Sequence, residues 1–309
     1  MGVDYIVDRD VYFAGNALII GMGIGELYKD LYKIEGQTIY TVDTNPAKEA
    51  TFENVDQVLQ SGLTFKTAHI CTPNFTHEEI AYKIAPISDI VFVEKPGVIN
   101  HQRWERLVLS NPNTRFMMVK NNQFRDEAYQ QSWRSWYAEA DHVQFLWLNH
   151  NRIPWPGSWF TTKSKAFGGV SRDLMPHLLS IYQVLNKDWM LSFPTEDYVS
   201  YQRHTLTPDL TTEYGQVNLQ GTYDVDDYAM MLFGKNEFIA DWKSDQESFV
   251  GIKFHYKDGT IQSLPLGFCP AEAYQTMIRM AKRARFSDEF WKEHLKMDIW
   301  LHQQMEKLS

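Results

Sequence analysis

The feature that most restricts the fold is a short apolar run, Ala-Leu-Ile-Ile at 17–20, meeting Gly21-Met22-Gly23-Ile24-Gly25 without a spacer. A strand that runs into glycines lets the backbone turn sharply, approach a ligand closely and open a helix aimed at it. Leu27, Tyr28, Leu31 and Tyr32 then recur at helical spacing. Gly21 and Gly23 suit the tight turn and the close approach of a dinucleotide fingerprint. Its third glycine belongs at Glu26, and Gly25 stands one place early. Taken alone, the segment also suits a strand-to-helix turn that binds nothing.

Strand and helix patterns continue to alternate. Residues 38–42 are β-branched and aromatic and stop at Asp43. That carboxylate lies about 20 residues beyond the glycines, where it accepts ribose hydroxyls and repels a 2′-phosphate. It favours NAD, with NADP as the alternative. Asp43-Thr44-Asn45-Pro46 also makes a good turn in which Asp43 caps a helix. Apolar runs at 67–71 and 89–93 end in Thr72-Pro73-Asn74 and Glu94-Lys95-Pro96, and 117–119 supplies one more strand. Each proline ends ladder pairing and stiffens the turn. Thr76 and Glu79 have capping-box spacing. Lys95 follows so apolar a run that its charge needs a partner. Asn74 is placed to hydrogen-bond a cofactor ribose or nicotinamide. The plain alternative is two turn prolines and a lysine snorkelling to water.

Beyond residue 120 the texture changes. Helices are expected at 127–140 and 174–185, a strand at 142–148, and a loop at 151–169. Strands at 198–204, 228–233, 237–242 and 249–256 follow with short turns, which predicts antiparallel pairing. Helices near 271–283 and 287–307 close the chain. The predicted fold class is α/β: a parallel-sheet unit over 1–120 and an α+β unit with a mainly antiparallel sheet over 121–309. In Gly168-Gly169-Val-Ser-Arg-Asp173-Leu-Met-Pro176-His177, proline belongs in a first helical turn, so Asp173 is expected to cap the helix and to stand one turn from His177. A carboxylate beside an imidazole orients it and raises its pKa toward neutrality, as acid/base work requires. A capping aspartate with a core histidine is the alternative.

The ordered set of the glycine segment, Asp43, Thr72-Pro73-Asn74-x-x-His77, Glu94-Lys95-Pro96 and Gly168-Gly169-x-x-x-Asp173-x-x-x-His177 resembles the glucose–fructose oxidoreductase/inositol dehydrogenase family over about residues 15–185. The resemblance implies a Rossmann domain followed by an α/β domain whose open sheet packs on another subunit, giving a homodimer or homotetramer. It implies that Lys95 touches nicotinamide and substrate, and that His177 exchanges the substrate hydroxyl proton. The cofactor set is then Gly21, Gly23, Gly25, Asp43, Thr72, Pro73, Asn74, Glu94 and Lys95, and the catalytic set Lys95, Asp173 and His177. The implied activity is an NAD(P)-dependent dehydrogenase of sugars or polyols acting on CH–OH groups. A non-catalytic sensor of a dinucleotide or sugar on the same scaffold is the alternative. The sequence departs from the family at Glu26, Phe167, Met175-Pro176 and Ser180. The loop at 151–169 offers Arg152, Trp155, Trp159, Lys163 and Lys165 to a polyhydroxylated or acidic substrate, with loop packing as the alternative for either tryptophan.

Composition narrows the classes. With 30 Lys+Arg against 39 Asp+Glu and a net charge of −9, the chain repels phosphate backbones, so nucleic acid is not an expected partner. Two cysteines, Cys71 and Cys269, make no disulfide scaffold and fit a reducing cytoplasm. No signal peptide or membrane span is expected. His77-Glu78-Glu79-Ile80-Ala81 lacks the second histidine of a zinc helix, so no metal is expected.

Overall fold

The computed structural model describes residues 15–34, 36–125, 127–150, 158–190, 199–205, 211–212, 215–216, 224–266 and 271–308, of which 127–129 and 199–225 are described by their backbone. Five parallel strands form the first sheet: β1 (Asn16–Ile20), β2 (Thr38–Val42), β3 (Phe65–Ile70), β4 (Ser88–Val93) and β5 (Arg115–Met118), in the order β2-β1-β3-β4-β5. The order reverses between β1 and β3, so the turns leaving these strands part and open a crevice at their carboxyl ends. Between the strands run α1 (Gly25–Ile34), α2 (Val55–Gln60), α3 (His77–Ile84) and α4 (His101–Leu109). Alternate residues of β1 feed opposite layers: Ala17 and Ile19 join one core cluster, Leu18 and Ile20 the other. Burial on both faces explains why these strands read as continuous apolar runs.

The second sheet is mixed. It holds β6 (His142–His150), β7 (Val199–Thr205), β10 (Asp224–Phe233), β11 (Asn236–Ser244), β12 (Phe249–His255) and β13 (Ile261–Pro265), in the order β13-β12-β6-β11-β10-β7. A separate two-residue ladder joins β8 (Thr211–Thr212) to β9 (Gly215–Gln216). β7 with β10, β10 with β11 and β12 with β13 pair antiparallel, but β11 and β12, which the sequence also predicts as neighbours, do not pair. The early strand β6 inserts at the centre and runs parallel to β11, which sequence neighbours do not reveal. Helices α5 (Glu127–Glu139), α6 (Lys163–Ala166), α7 (Val170–Asp173) and α8 (Met175–Leu185) follow the first sheet in the chain. Tyr182 of α8 packs edge-on against Phe145, Phe233 and Phe238 of the sheet, and Phe145 stacks on Phe238 at 4.5 Å.

Two expected caps are corrected. Thr76 makes no side-chain cap; its hydroxyl bonds Thr72 Oγ1 and the Pro73 carbonyl, and Asn74–Thr76 forms a tight turn ahead of α3. Asp173 does not cap the helix carrying His177. It ends α7, Leu174 intervenes, and Pro176 sits in the first turn of α8. The early start of α7 goes with Gly169, where an added Cβ would lie 2.0 Å from the Asp226 carbonyl oxygen. Only glycine allows β10 to approach so closely.

The closing helices α9 (Ala271–Arg283) and α10 (Asp288–Glu306) return to the first sheet. Tyr274, Met277, Ile278 and Ala281 share a core with Ala17, Ile19, Tyr28 and Phe92. No helix among the described residues is long and apolar enough to cross a membrane. Lys120, just past β5, forms an ion pair with Asp298 of α10, and the two side chains are almost fully buried. Asp298 also accepts the Met118 amide at 3.1 Å. Burial pushes the Lys120 pKa down and the Asp298 pKa up, so neither charge survives well without the other. Asp298→Ala is expected to cost about 3–5 kcal/mol of unfolding free energy by urea denaturation, and a Lys120→Met/Asp298→Leu double variant much less.

Candidate functional site

A cavity of about 730 Å³ lies at the carboxyl ends of the parallel strands and extends to the second sheet. That volume suits a bound small molecule or cofactor. Its floor is built by the turn after β1. Gly21 has φ of +91°, and a Cβ there would sit 2.7 Å from the Cys71 carbonyl oxygen. Gly23 faces open space, with nothing within 4 Å of a hypothetical Cβ, and it lines the cavity. Gly25 does not line it. As the first residue of α1 it packs against Ile19, leaving 2.8 Å for an added Cβ. Glu26 also stays out of the lining and pairs with Lys29 at 3.6 Å.

Asp43 is held rigidly. Its Oδ2 accepts the Met22 amide at 2.7 Å and its Oδ1 the Asn45 amide at 2.8 Å. Asn45, not Asp43, caps the following turn. The clamp presents the carboxylate to the cavity with lone pairs to spare. Thr72, Pro73 and Asn74 line the opposite wall. Asn74 Nδ2 donates to the Ala166 carbonyl of α6 at 2.8 Å, tying the two sheets together. Glu94 accepts the Tyr28 hydroxyl at 2.6 Å, and burial holds its pKa above the usual carboxylate value.

Lys95 reaches across to the second sheet's helices. Its Nζ donates to the Asp173 carbonyl oxygen at 3.0 Å and is paired with Asp173 Oδ1. Asp173 Oδ2 accepts the Trp242 indole N–H at 3.1 Å. Asp173 therefore holds Lys95 and not the His177 ring, against the sequence reading. The cation draws the carboxylate, and the break at Leu174 turns His177 away from α7. His177 instead stacks on Trp147, with ring centroids 4.9 Å apart, and its ring nitrogens have no hydrogen-bond partner among the described residues. Burial, then the charges of Lys95 and Arg125, push its pKa well below 6.5, the reverse of what a carboxylate neighbour would do.

The cavity thus collects Gly21, Gly23, Asp43, Thr72, Pro73, Asn74, Glu94, Lys95, Trp159, Asp173 and His177 of the expected residues. Lys165 does not line it; its ammonium lies 5.9 Å from the centroid of the Phe75 ring, because the short α6 turns that side chain outward. Arg152 and Trp155 lie outside the described residues. The sequence reading missed Val55, Trp147, Asn149, Phe160 and Tyr274, which also line the cavity. Trp147 and Asn149 are two apart on β6, a period-two signal available in the sequence. Tyr274 comes from α9, more than two hundred residues from the glycines, with no local signal.

No protein-family model matches the chain. A curated protein of Amycolatopsis mediterranei (strain S699), described as "Putative UDP-kanosamine synthase oxidoreductase subunit", is 27% identical over 176 residues, covering 53% of this chain and 49% of that protein. The match therefore spans about half the length of that relative. Levoglucosan dehydrogenase in complex with NADH and levoglucosan superposes with a TM-score of 0.65 at 14% identity, over 96% of this chain and 97% of that one. GenD2 from gentamicin A biosynthesis in complex with NAD gives 0.65 at 14% identity, over 94% and 92% of the two chains. An NAD-binding protein from Listeria innocua gives 0.61 at 17% identity, over 94% and 92%. At these identities the likeness establishes the fold: this chain has the two-sheet architecture of dehydrogenases solved with nicotinamide dinucleotides.

The glycine geometry separates structural from binding roles. Gly21→Ala is expected to lose about 1–3 kcal/mol of stability through strain and backbone collision, and Gly169→Ala at least as much. Gly23→Ala should stay within about 0.5 kcal/mol of wild type in the same urea titration.

Proposed function

We propose that this chain is an NAD-dependent oxidoreductase of the glucose–fructose oxidoreductase/inositol dehydrogenase type, acting on a hydroxyl-bearing carbon of a sugar or polyol in the cytoplasm. The observation that carries the reading is the convergence of Lys95, Asp173 and the His177 ring, which has no hydrogen-bond partner among the described residues, on a cavity floored by the glycine turn and Asp43. The residues fit a dinucleotide. Open space at Gly23 admits a pyrophosphate beside the start of α1, and the clamped Asp43 suits ribose hydroxyls while repelling a 2′-phosphate. The parallel unit, roughly 1–120, is proposed to hold the coenzyme, with Tyr274 reaching in from α9. The remainder is proposed to shape the substrate end and, by the family resemblance, to mediate a homodimer or homotetramer.

When bound, the nicotinamide supplies the two-electron hydride chemistry. The chain supplies the rest. His177, neutral because burial and two cations disfavour its charge, takes the substrate hydroxyl proton on a ring nitrogen. Lys95 spends two donors on Asp173 and keeps a third N–H for the substrate oxygen, stabilising the negative charge that develops there. Asp173 fixes the ammonium in that orientation. Trp147, Trp159 and Phe160 give the substrate end apolar ring faces.

Two outcomes test this reading. Calorimetry should show NAD binding to wild type and about tenfold weaker binding to Gly23→Val at unchanged melting temperature. Lys95→Ala and His177→Ala should each lower sugar-dependent NAD reduction by about 10²–10⁴-fold. Wild-type rates in both variants overturn the assignment. A third measurement follows from the His177 pKa. Oxidation needs the deprotonated ring, and a pKa below 6.5 leaves it deprotonated at neutral pH. The acid limb of kcat/KM belonging to this group should then have its midpoint below pH 6.5.

A further inference from the structure

We infer that Trp242 is a positioning residue of this site, acting through Asp173 to aim Lys95; the inference rests on the reaction proposed above. Trp242 lies on β11, where buried and half-buried positions alternate, so its side chain enters the layer beneath α7. The ladder to β6 slips between Asp241 and Ser244, an irregularity in the stretch that holds Trp242 and Lys243. Bulges re-aim the side chains they carry. Here the indole is fully buried and its Nε1–H meets Asp173 Oδ2 at 3.1 Å.

The other carboxylate oxygen, Oδ1, is taken by Lys95, and the Asp173 carbonyl also receives the ammonium at 3.0 Å. Two donors on two oxygens stop the carboxylate from rotating about its terminal torsion. With only Lys95 attached, the group swings and carries the ammonium with it. The indole contact is more than general satisfaction of a buried donor. The Nε1 atoms of the buried Trp104 and Trp300 have no hydrogen-bond partner among the described residues, so the interior tolerates unpaired indoles elsewhere. Trp242 also neighbours Phe160 of the cavity wall, with ring centroids 6.1 Å apart, which keeps its ring within the site's packing.

Two measurements on the full chain test this. In a ¹⁵N-indole spectrum, the Trp242 resonance is identified by its loss in Trp242→Phe, and it should move upfield in Asp173→Ala. In turnover assays with NAD and levoglucosan, L-sorbose, glucose or myo-inositol, Trp242→Phe should lower kcat about tenfold, the loss of one charge-assisted hydrogen bond. The KM for NAD should stay within twofold. In an Asp173→Ala background the same substitution should cost less than twofold, because a residue acting through Asp173 has nothing left to act on. Benzothienylalanine at 242 keeps the indole shape without its donor, and should reproduce the loss if Trp242→Phe packs poorly. An indole signal indifferent to Asp173→Ala, or an equal cost in both backgrounds, overturns the inference. A wild-type protein that binds no NAD and turns over none of these sugars overturns the functional reading instead, and an indole that still senses Asp173 tells the two failures apart.

Discussion

The contact on which the site depends is the ion pair between Lys95 and Asp173. One partner leaves the parallel sheet after β4, the other ends the short helix α7 beside the mixed sheet. Both side chains are largely withdrawn from water, so each charge is costly without its counterpart. The pair therefore holds two independently layered sheets across a cavity, seconded by Asn74 on the Ala166 carbonyl. It also sets the local electrostatics. An ammonium fixed near His177 helps keep that imidazole uncharged. A single contact thus links the architecture to the protonation state that the proposed proton transfer requires.

The departures from the family pattern look disruptive as letters and mild as geometry. Glu26 turns toward Lys29 and leaves the cavity floor clear. Phe167 adopts φ of 69°, the left-handed conformation that glycine takes without cost, so the loop keeps its path at the expense of about 1–2 kcal/mol. Ser180, where the family often has aspartate, is buried and donates to the His177 carbonyl at 2.8 Å. It stiffens the helix that carries the imidazole and does not line the cavity.

Much of the fold was legible because its signals are local. The strands of the first sheet appear as apolar runs since both faces are covered, and the glycines and prolines mark where each ends. Both closing helices are readable from periodicity. Strand β13 was missed: Gln262, Ser263 and Pro265 carry no β-branched signal, and only its ladder to β12 makes it a strand. The cap read at Thr76 failed because its hydroxyl found Thr72 and the Pro73 carbonyl instead of the helix amides. The role read for Asp173 failed for a similar reason. Spacing placed it one turn from His177, but a lysine 78 residues away competes better for a carboxylate than an imidazole with a depressed pKa.

What the sequence by itself determined is the parallel sheet, the glycine turn beside Asp43, and which residues have the chemistry to serve a dinucleotide and a hydroxyl. These follow from backbone freedom at glycine, proline's missing donor and the periodicity of burial, all of which act over a few residues. Only the tertiary structure decided who partners whom. The parallel insertion of β6, the arrival of Tyr274 from the last part of the chain, and the grip of Trp242 and Lys95 on Asp173 all depend on distances between segments remote in sequence. Hydrogen bonds and ion pairs select partners by proximity and desolvation, and neither quantity is written in the spacing of residues along the chain.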